Sequence, residues 1–155
     1  MDVRPAGSQE YAALWQLFHD TVHHVNRSDY SPRQLAAWAP DEVDLSKWSQ
    51  RMEAIQPFVV TIDETIVGFA DVQPDGLIDM FFVHHAWQRR GIGSWLFREI
   101  HHRAESIQLH ELHSHVSITA CPFFQSQGFE IVTPQEVTIN GVVLNNFLMR
   151  KMLSA

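Results

Sequence analysis

Several residue types are scarce in this chain of 155 residues. Its one cysteine, Cys121, excludes an intramolecular disulfide and any cysteine-based zinc ribbon, so the fold must rest on its apolar core. Lysine occurs only at Lys47 and Lys151, and tyrosine only at Tyr11 and Tyr30. Positive charge is also in deficit, with 11 basic against 18 acidic side chains and a formal −7 when the ten histidines are neutral. That balance argues against a general nucleic-acid binder, whose phosphate contacts need a basic surface. No run approaches the roughly 20 apolar residues of a membrane span. The start, Met1-Asp2-Val3-Arg4-Pro5, lacks the basic-then-apolar order of a signal peptide. The expectation is a cytoplasmic protein that meets neither nucleic acid nor membrane. A content of 45% apolar and 19% charged residues is that of a folded globular chain, read as one domain over 1–155.

Periodicity divides the chain in two. Leu14, Leu17, Phe18, Thr21, Val22 and Val25 form one stripe of an amphipathic helix. Ser31-Pro32-Arg33-Gln34 is a capping box with proline at the first helical position, and Pro40 closes that second helix. Leu45, Trp48, Met52 and Ile55 mark a third. From Phe58 the pattern turns to strands: a hairpin of 58–62 with 66–72, then Leu77–Val83 as a central strand, apolar except at Asp79. A helix over about 93–104, a strand near 112–118, a short helix near 123–127 and a strand from Phe129 follow. Asn140-Gly141 is a type I′ turn signal inside a last hairpin that runs to about Met152. This order predicts a three-layer α/β fold with helices on both faces of the sheet.

Between the apolar strand and its helix lies Gln88-Arg89-Arg90-Gly91-Ile92-Gly93-Ser94. Glycines there let successive N–H groups converge, and the helix N-terminus adds partial positive charge, which together suit a phosphate. Leu96 stands where a dinucleotide fingerprint needs its third small residue, and no Gly-Lys-Ser/Thr exists for a P-loop. The remaining pattern, Gln/Arg-x-x-Gly-x-Gly, followed by Ala120-Cys121-Pro122-Phe123-Phe124-Gln125-Ser126-Gln127-Gly128-Phe129, resembles the GNAT superfamily of acetyl-CoA-dependent N-acetyltransferases. The stretch Asp29-Tyr30-Ser31-Pro32, with Trp38-Ala39 after it, is similar to one bacterial branch that acts on small molecules.

The resemblance implies a mixed, mostly antiparallel sheet in which the strand ending at Val83 splays from the next one. It implies that the N–H groups of Arg89, Arg90, Gly91, Ile92, Gly93 and Ser94, together with Gln88, hold the coenzyme A pyrophosphate. The edge at Phe81, Phe82 and Val83 would pair with the pantetheine, and Phe123 and Phe124 would flank it. A backbone N–H near Phe82 would polarise the acetyl carbonyl. The expected reaction is direct attack by a primary amine, of a small-molecule acceptor, on the thioester in a ternary complex. A homodimer would fit the family's habit.

Two positions depart from the family. Phe124 stands where the family has the tyrosine that protonates the departing thiolate, and Ser117 where it often has asparagine. Tyr30, on the inter-helix loop, is the replacement candidate for that acid, or else an aromatic anchor. Asp79 is the candidate base, or else a paired structural carboxylate; His113 and His115, on one face of the next strand, could serve through water. The same departures leave open an acyl-CoA-binding module with little or no transfer. Adjacent pairs such as His23-His24 and His84-His85 point to different sides of their element and chelate poorly, so no metal is expected. Cys121, beside Pro122 at a helix start, reads as structural, and Trp15, Phe18, Trp38 and Trp48 as either core or acceptor-pocket wall.

Overall fold

The computed structural model describes residues 1–153. Among the described residues, seven strands and five α-helices follow in order: β1 (Asp2–Pro5), α1 (Tyr11–Val25), α2 (Pro32–Trp38), α3 (Leu45–Ile55), β2 (Phe58–Ile62), β3 (Thr65–Ala70), β4 (Phe81–Val83), α4 (Ile92–Ser106), β5 (Glu111–Ser117), α5 (Cys121–Ser126), β6 (Glu130–Ile139) and β7 (Val142–Met152). The strands form two antiparallel sheets, ordered β1-β2-β3-β4 and β5-β7-β6. Among the described residues no helix is long and apolar enough to cross a membrane.

Local chemistry explains the boundaries. Ser31 Oγ accepts the Gln34 N–H at 3.2 Å while Gln34 Oε1 accepts the Ser31 N–H at 2.9 Å, so the capping box starts α2 as expected. Asn140 and Gly141 both take positive φ, 48° and 78°, as a type I′ turn requires between β6 and β7. Alternation along β2 sends Phe58 and Val60 to one face and Val59 to the other. The first face packs on Leu96, Phe97 and Ile100 of α4; the second packs on Leu14, Phe18 and Trp48 of α1 and α3. Two cores therefore lie on opposite faces, which makes the three layers.

Two features differ from the sequence expectation. β1 pairs with β2 from Asp2↔Thr61 to Pro5↔Phe58, although four mostly exposed residues carry no hydrophobic alternation strong enough to announce a strand. The apolar run 77–83 is not one strand. Only Phe81–Val83 pairs with β3, while Leu77 makes an isolated parallel bridge to His113 of β5. The run passes from one sheet to the other, and the sheets part at Asp79.

Candidate active site

The fork between the sheets is built by hydrogen bonds of opposite pull. On the β5 side, the Ile78 N–H donates to the His113 carbonyl (2.9 Å), the His113 N–H to the Gly76 carbonyl (3.0 Å), and Ser114 Oγ to the Ile78 carbonyl (2.7 Å). On the β3 side, Asp71 Oδ1 accepts the N–H groups of both Asp79 (2.9 Å) and Met80 (2.6 Å), and Oδ2 accepts Gln73 Nε2 (3.1 Å). Two successive backbone donors thus turn onto one side chain, and β4 bends away from β5. Asp71 is fully buried, and that burial pushes its carboxyl up to about 7 against three hydrogen bonds that favour the charged form.

Beyond the fork, β4 keeps one edge open. His84 N–H donates to Val67 O and Asp71 N–H to Met80 O, so antiparallel alternation directs the Phe82 amide inward to Phe69 and those of Phe81 and Val83 outward. The outward donors therefore flank Phe82 and do not include its own N–H. The Val83 carbonyl accepts from Thr21 Oγ1 (3.0 Å) and Gln88 Nε2 (2.8 Å).

The loop after β4 reaches α4 through two left-handed residues, Arg89 (φ 61°) and Gly91 (φ 80°). Gly91 is the α4 N-cap with no side-chain cap, and the first intrahelical bond there is Trp95 N–H to Gly91 O. The N–H groups of Ile92, Gly93 and Ser94 thus remain for a ligand at the positive end of the helix. A Cβ on Gly91 would meet no protein atom within 4 Å; one on Gly93 would lie 2.7 Å from Phe123 Cζ. One glycine leaves room in front of the cradle, and the other lets Phe123 close its side.

Two cavities meet at the fork. A groove of about 350 Å³ is lined by Phe81, Phe82 and Val83, by Gln88 and Arg89, by Gly91 to Ser94, and by Phe123 and Phe124. Within Gln88 to Ser94, Arg90 alone is not part of that lining; its guanidinium stacks 4.9 Å over Trp87. A second cavity, about 650 Å³, is walled by Trp15, Phe18, Trp38 and Trp48, the aromatic stripe, which serves as core and wall at once. Trp38, Asp79, Phe82, His115 and Ser117 line both.

At that junction Asp79 is held by Arg51 of α3 through three contacts of 2.9–3.1 Å. His115 accepts Gln135 Nε2 at Nδ1 (2.7 Å), and its Nε2 has no partner among the described residues. His113 lines neither cavity; its backbone ties the sheets. The general-acid role weighed for Tyr30 meets a physical obstacle. Its hydroxyl donates to the Asn145 carbonyl (2.6 Å) and accepts the Ile118 N–H (2.9 Å), and burial raises its pKa further. Tyr30 ties the end of β5 to β7. Cys121 is buried, which pushes its thiol pKa up and fits a structural role.

Ser117 is more open. Its Oγ accepts Asn26 Nδ2 (3.3 Å) and the Ala120 N–H (3.0 Å), so its own proton is free among the described residues and lies on the wall common to both cavities. Phe124 is buried edge-on against Phe81, Phe97 and Phe129 at centroid distances of 5.0–5.3 Å.

An open-edged β4, a sheet that forks and a glycine cradle at a helix start describe a known architecture. The model of the acetyltransferase (GNAT) domain matches residues 26–151. The chain belongs to the GNAT acetyltransferases. Among relatives, the uncharacterized N-acetyltransferase YafP of Escherichia coli (strain K12) is 36% identical over 141 residues, 91% of this chain and 89% of that one. The crystal structure of a GCN5-related N-acetyltransferase from Rhodopseudomonas palustris superposes with a TM-score of 0.93 at 29% identity, over 98% of this chain and 95% of that one. YncA from Salmonella typhimurium, solved with its cofactor acetyl-CoA, shares the fold at a TM-score of 0.72 and 18% identity, covering 100% and 95%. Within the GNAT frame, the residue that sequence reasoning missed is Asp71. It stood in a strand beside the more conspicuous Asp79, and no local pattern said which carboxylate would be buried.

Proposed function

We propose that the protein transfers acetyl from acetyl-CoA to a primary amine of a small molecule, holding both reactants at once. The wall of five residues common to the two cavities carries this reading, because a donor in the groove and an acceptor in the aromatic cavity would meet there. The groove's residues fit coenzyme A: Ile92, Gly93 and Ser94 offer free N–H groups to a pyrophosphate, and the outward amides of Phe81 and Val83 offer pairing to an extended amide chain. The thioester supplies an activated acyl group. Everything else is asked of this chain's own side chains.

The aromatic cavity suits a cation with an apolar body. Tryptophan faces attract an ammonium, and Glu42, Asp44 and Asp79 outnumber Lys47 and Arg51 around the lining. Attack requires the amine to lose a proton, and Asp79 at the junction receives it, with Arg51 holding the carboxylate in place. The Ser117 O–H is placed to donate a hydrogen bond to the departing sulfur, which takes its proton from water. Asp79→Asn should lower kcat about 10²–10³-fold, while His115→Gln should cost less than about tenfold. The reverse ranking, read from steady-state kinetics, would move the proton to His115.

A second reading rests on Phe124, which has no acidic proton, and on Tyr30, whose hydroxyl proton is engaged by the Asn145 carbonyl: an acyl-CoA-binding module with little or no transfer. A panel of primary amines, assayed by free thiol release, separates the two. Transfer is expected with an amine on an apolar or aromatic body. Binding of acetyl-CoA without thiol release across the panel supports the module, and no thermal stabilisation at millimolar acetyl-CoA overturns both.

A further inference from the structure

We infer that His19, His23 and Asp41 form a binding site for a divalent zinc-class metal ion that clips the wall of the aromatic cavity to α1. His19 and His23 stand one helical turn apart, on the same side of α1, which is the spacing at which two imidazoles on a helix chelate. Their rings overlap at a centroid distance of 4.4 Å. Asp41, from the loop between α2 and α3, brings a carboxylate to the pair, with Oδ1 2.9 Å from His19 Nε2. One ring nitrogen of each histidine and an oxygen of Asp41 all lie within 4.8 Å of one another.

The surrounding hydrogen bonds also suit a metal. A ligating histidine commonly gives its other N–H to a carbonyl or carboxylate, which fixes the tautomer and ring plane. Here His23 Nε2 faces the Ala39 carbonyl at 2.7 Å and His19 Nδ1 faces Asp20 Oδ1 at 3.2 Å. One ring nitrogen from each histidine and one Asp41 carboxylate oxygen make up the donor set. In a tetrahedral zinc site, bonds of about 2.0–2.2 Å put ligand atoms roughly 3.3–3.5 Å apart, so closure needs side-chain shifts of about 1.5 Å or less. Two imidazoles and one carboxylate suit zinc, cobalt or nickel over magnesium or calcium. The exposed Asp41 side chain leaves an entry path and a fourth position for water.

The site's place in the fold gives it a consequence. The segment from Ala39 to Asp44 supplies Pro40, Glu42, Val43 and Asp44 to the aromatic cavity, while His19, His23 and Asp41 are outside that lining. An ion there would fix one wall without touching the cavity's contents. Helix spacing alone could have suggested His19 and His23, but Asp41 lies 22 positions from His19 and no local pattern joins them.

The test uses the tag-free full chain and zinc chloride alone, followed by calorimetry with a competing chelator. One zinc per chain at micromolar affinity or tighter is expected, with the visible absorption of four-coordinate cobalt when cobalt replaces zinc. His23→Gln and Asp41→Asn should each weaken binding about tenfold or more, and the exposed pair His102→Gln/His110→Gln should leave it unchanged. No stoichiometric binding, binding that survives His23→Gln combined with Asp41→Asn, or binding lost in the His102/His110 variant would each overturn the site. All these positions are at least partly exposed, and an unchanged far-ultraviolet spectrum checks each fold.

Discussion

Replacing Gly91 by aspartate should abolish acetyl-CoA binding, with affinity down about 100-fold or more and the fold intact. Gly91 sits at φ 80° as the N-cap of α4, and a side chain there would enter open space in front of the first turn. Aspartate tolerates left-handed backbone better than most residues. Its carboxylate would take up the N–H groups left for the pyrophosphate and repel the incoming phosphates. The left-handed backbone strains any side chain here, so thermal stability should fall by about 1 kcal/mol while the ligand loses both cradle and charge complementarity. Gly91→Ala separates the causes: it adds strain and bulk without charge and should weaken binding about tenfold or less. Calorimetry with acetyl-CoA reads both, and wild-type affinity in Gly91→Asp would move the phosphate site elsewhere.

Asp71→Ala should be the most damaging single change to the fork. It strands the N–H groups of Asp79 and Met80 and the Gln73 amide in a buried site. At about 1–3 kcal/mol for each buried donor left unsatisfied, with partial relaxation, the loss should be about 3–5 kcal/mol by denaturant unfolding. With the fork unpinned, transfer activity should fall as well. Asp71→Asn keeps the acceptor for both backbone groups and should cost about 1–2 kcal/mol. The two forms also differ in pH response. With its folded pKa raised to about 7, the Asp71 carboxyl keeps a proton that the unfolded chain releases near the ordinary value of 3.8. Its contribution is therefore most favourable at low pH, falls as pH rises from about 4 to about 7, and is level above that. Asp71→Asn should remove this slope. Glu10, held down to about 2 by Arg4, adds a slope of opposite sign as pH falls below about 4.5, which both proteins keep. A wild-type slope retained in Asp71→Asn would mean that another group titrates.

Features coded by neighbouring residues were legible in the sequence: the Ser31-Pro32 cap, the Asn140-Gly141 turn, the helical stripes and the glycine cradle after β4. The fork was foreseen only through resemblance, because its physical origin is a choice of partner across space. Leu77–Val83 has the same apolar pattern whether it stays in one sheet or passes between two. Asp71 decides the matter from eight and nine residues away. Asp79, the charge that stood out, is met by Arg51, 28 positions earlier on a helix. Tyr30 shows the same limit, since its hydroxyl is occupied by groups 88 and 115 positions distant.

The open edge of β4 also bears on solubility. An unpaired strand edge that welcomes an extended ligand equally welcomes a strand from another molecule, the first step of sheet-to-sheet aggregation. Here the liability is kept small. β4 is three residues long, and its Val83 carbonyl already accepts from Thr21 and Gln88. What stays exposed is little more than two amides, enough for a small-molecule chain and too short a template for a protein strand.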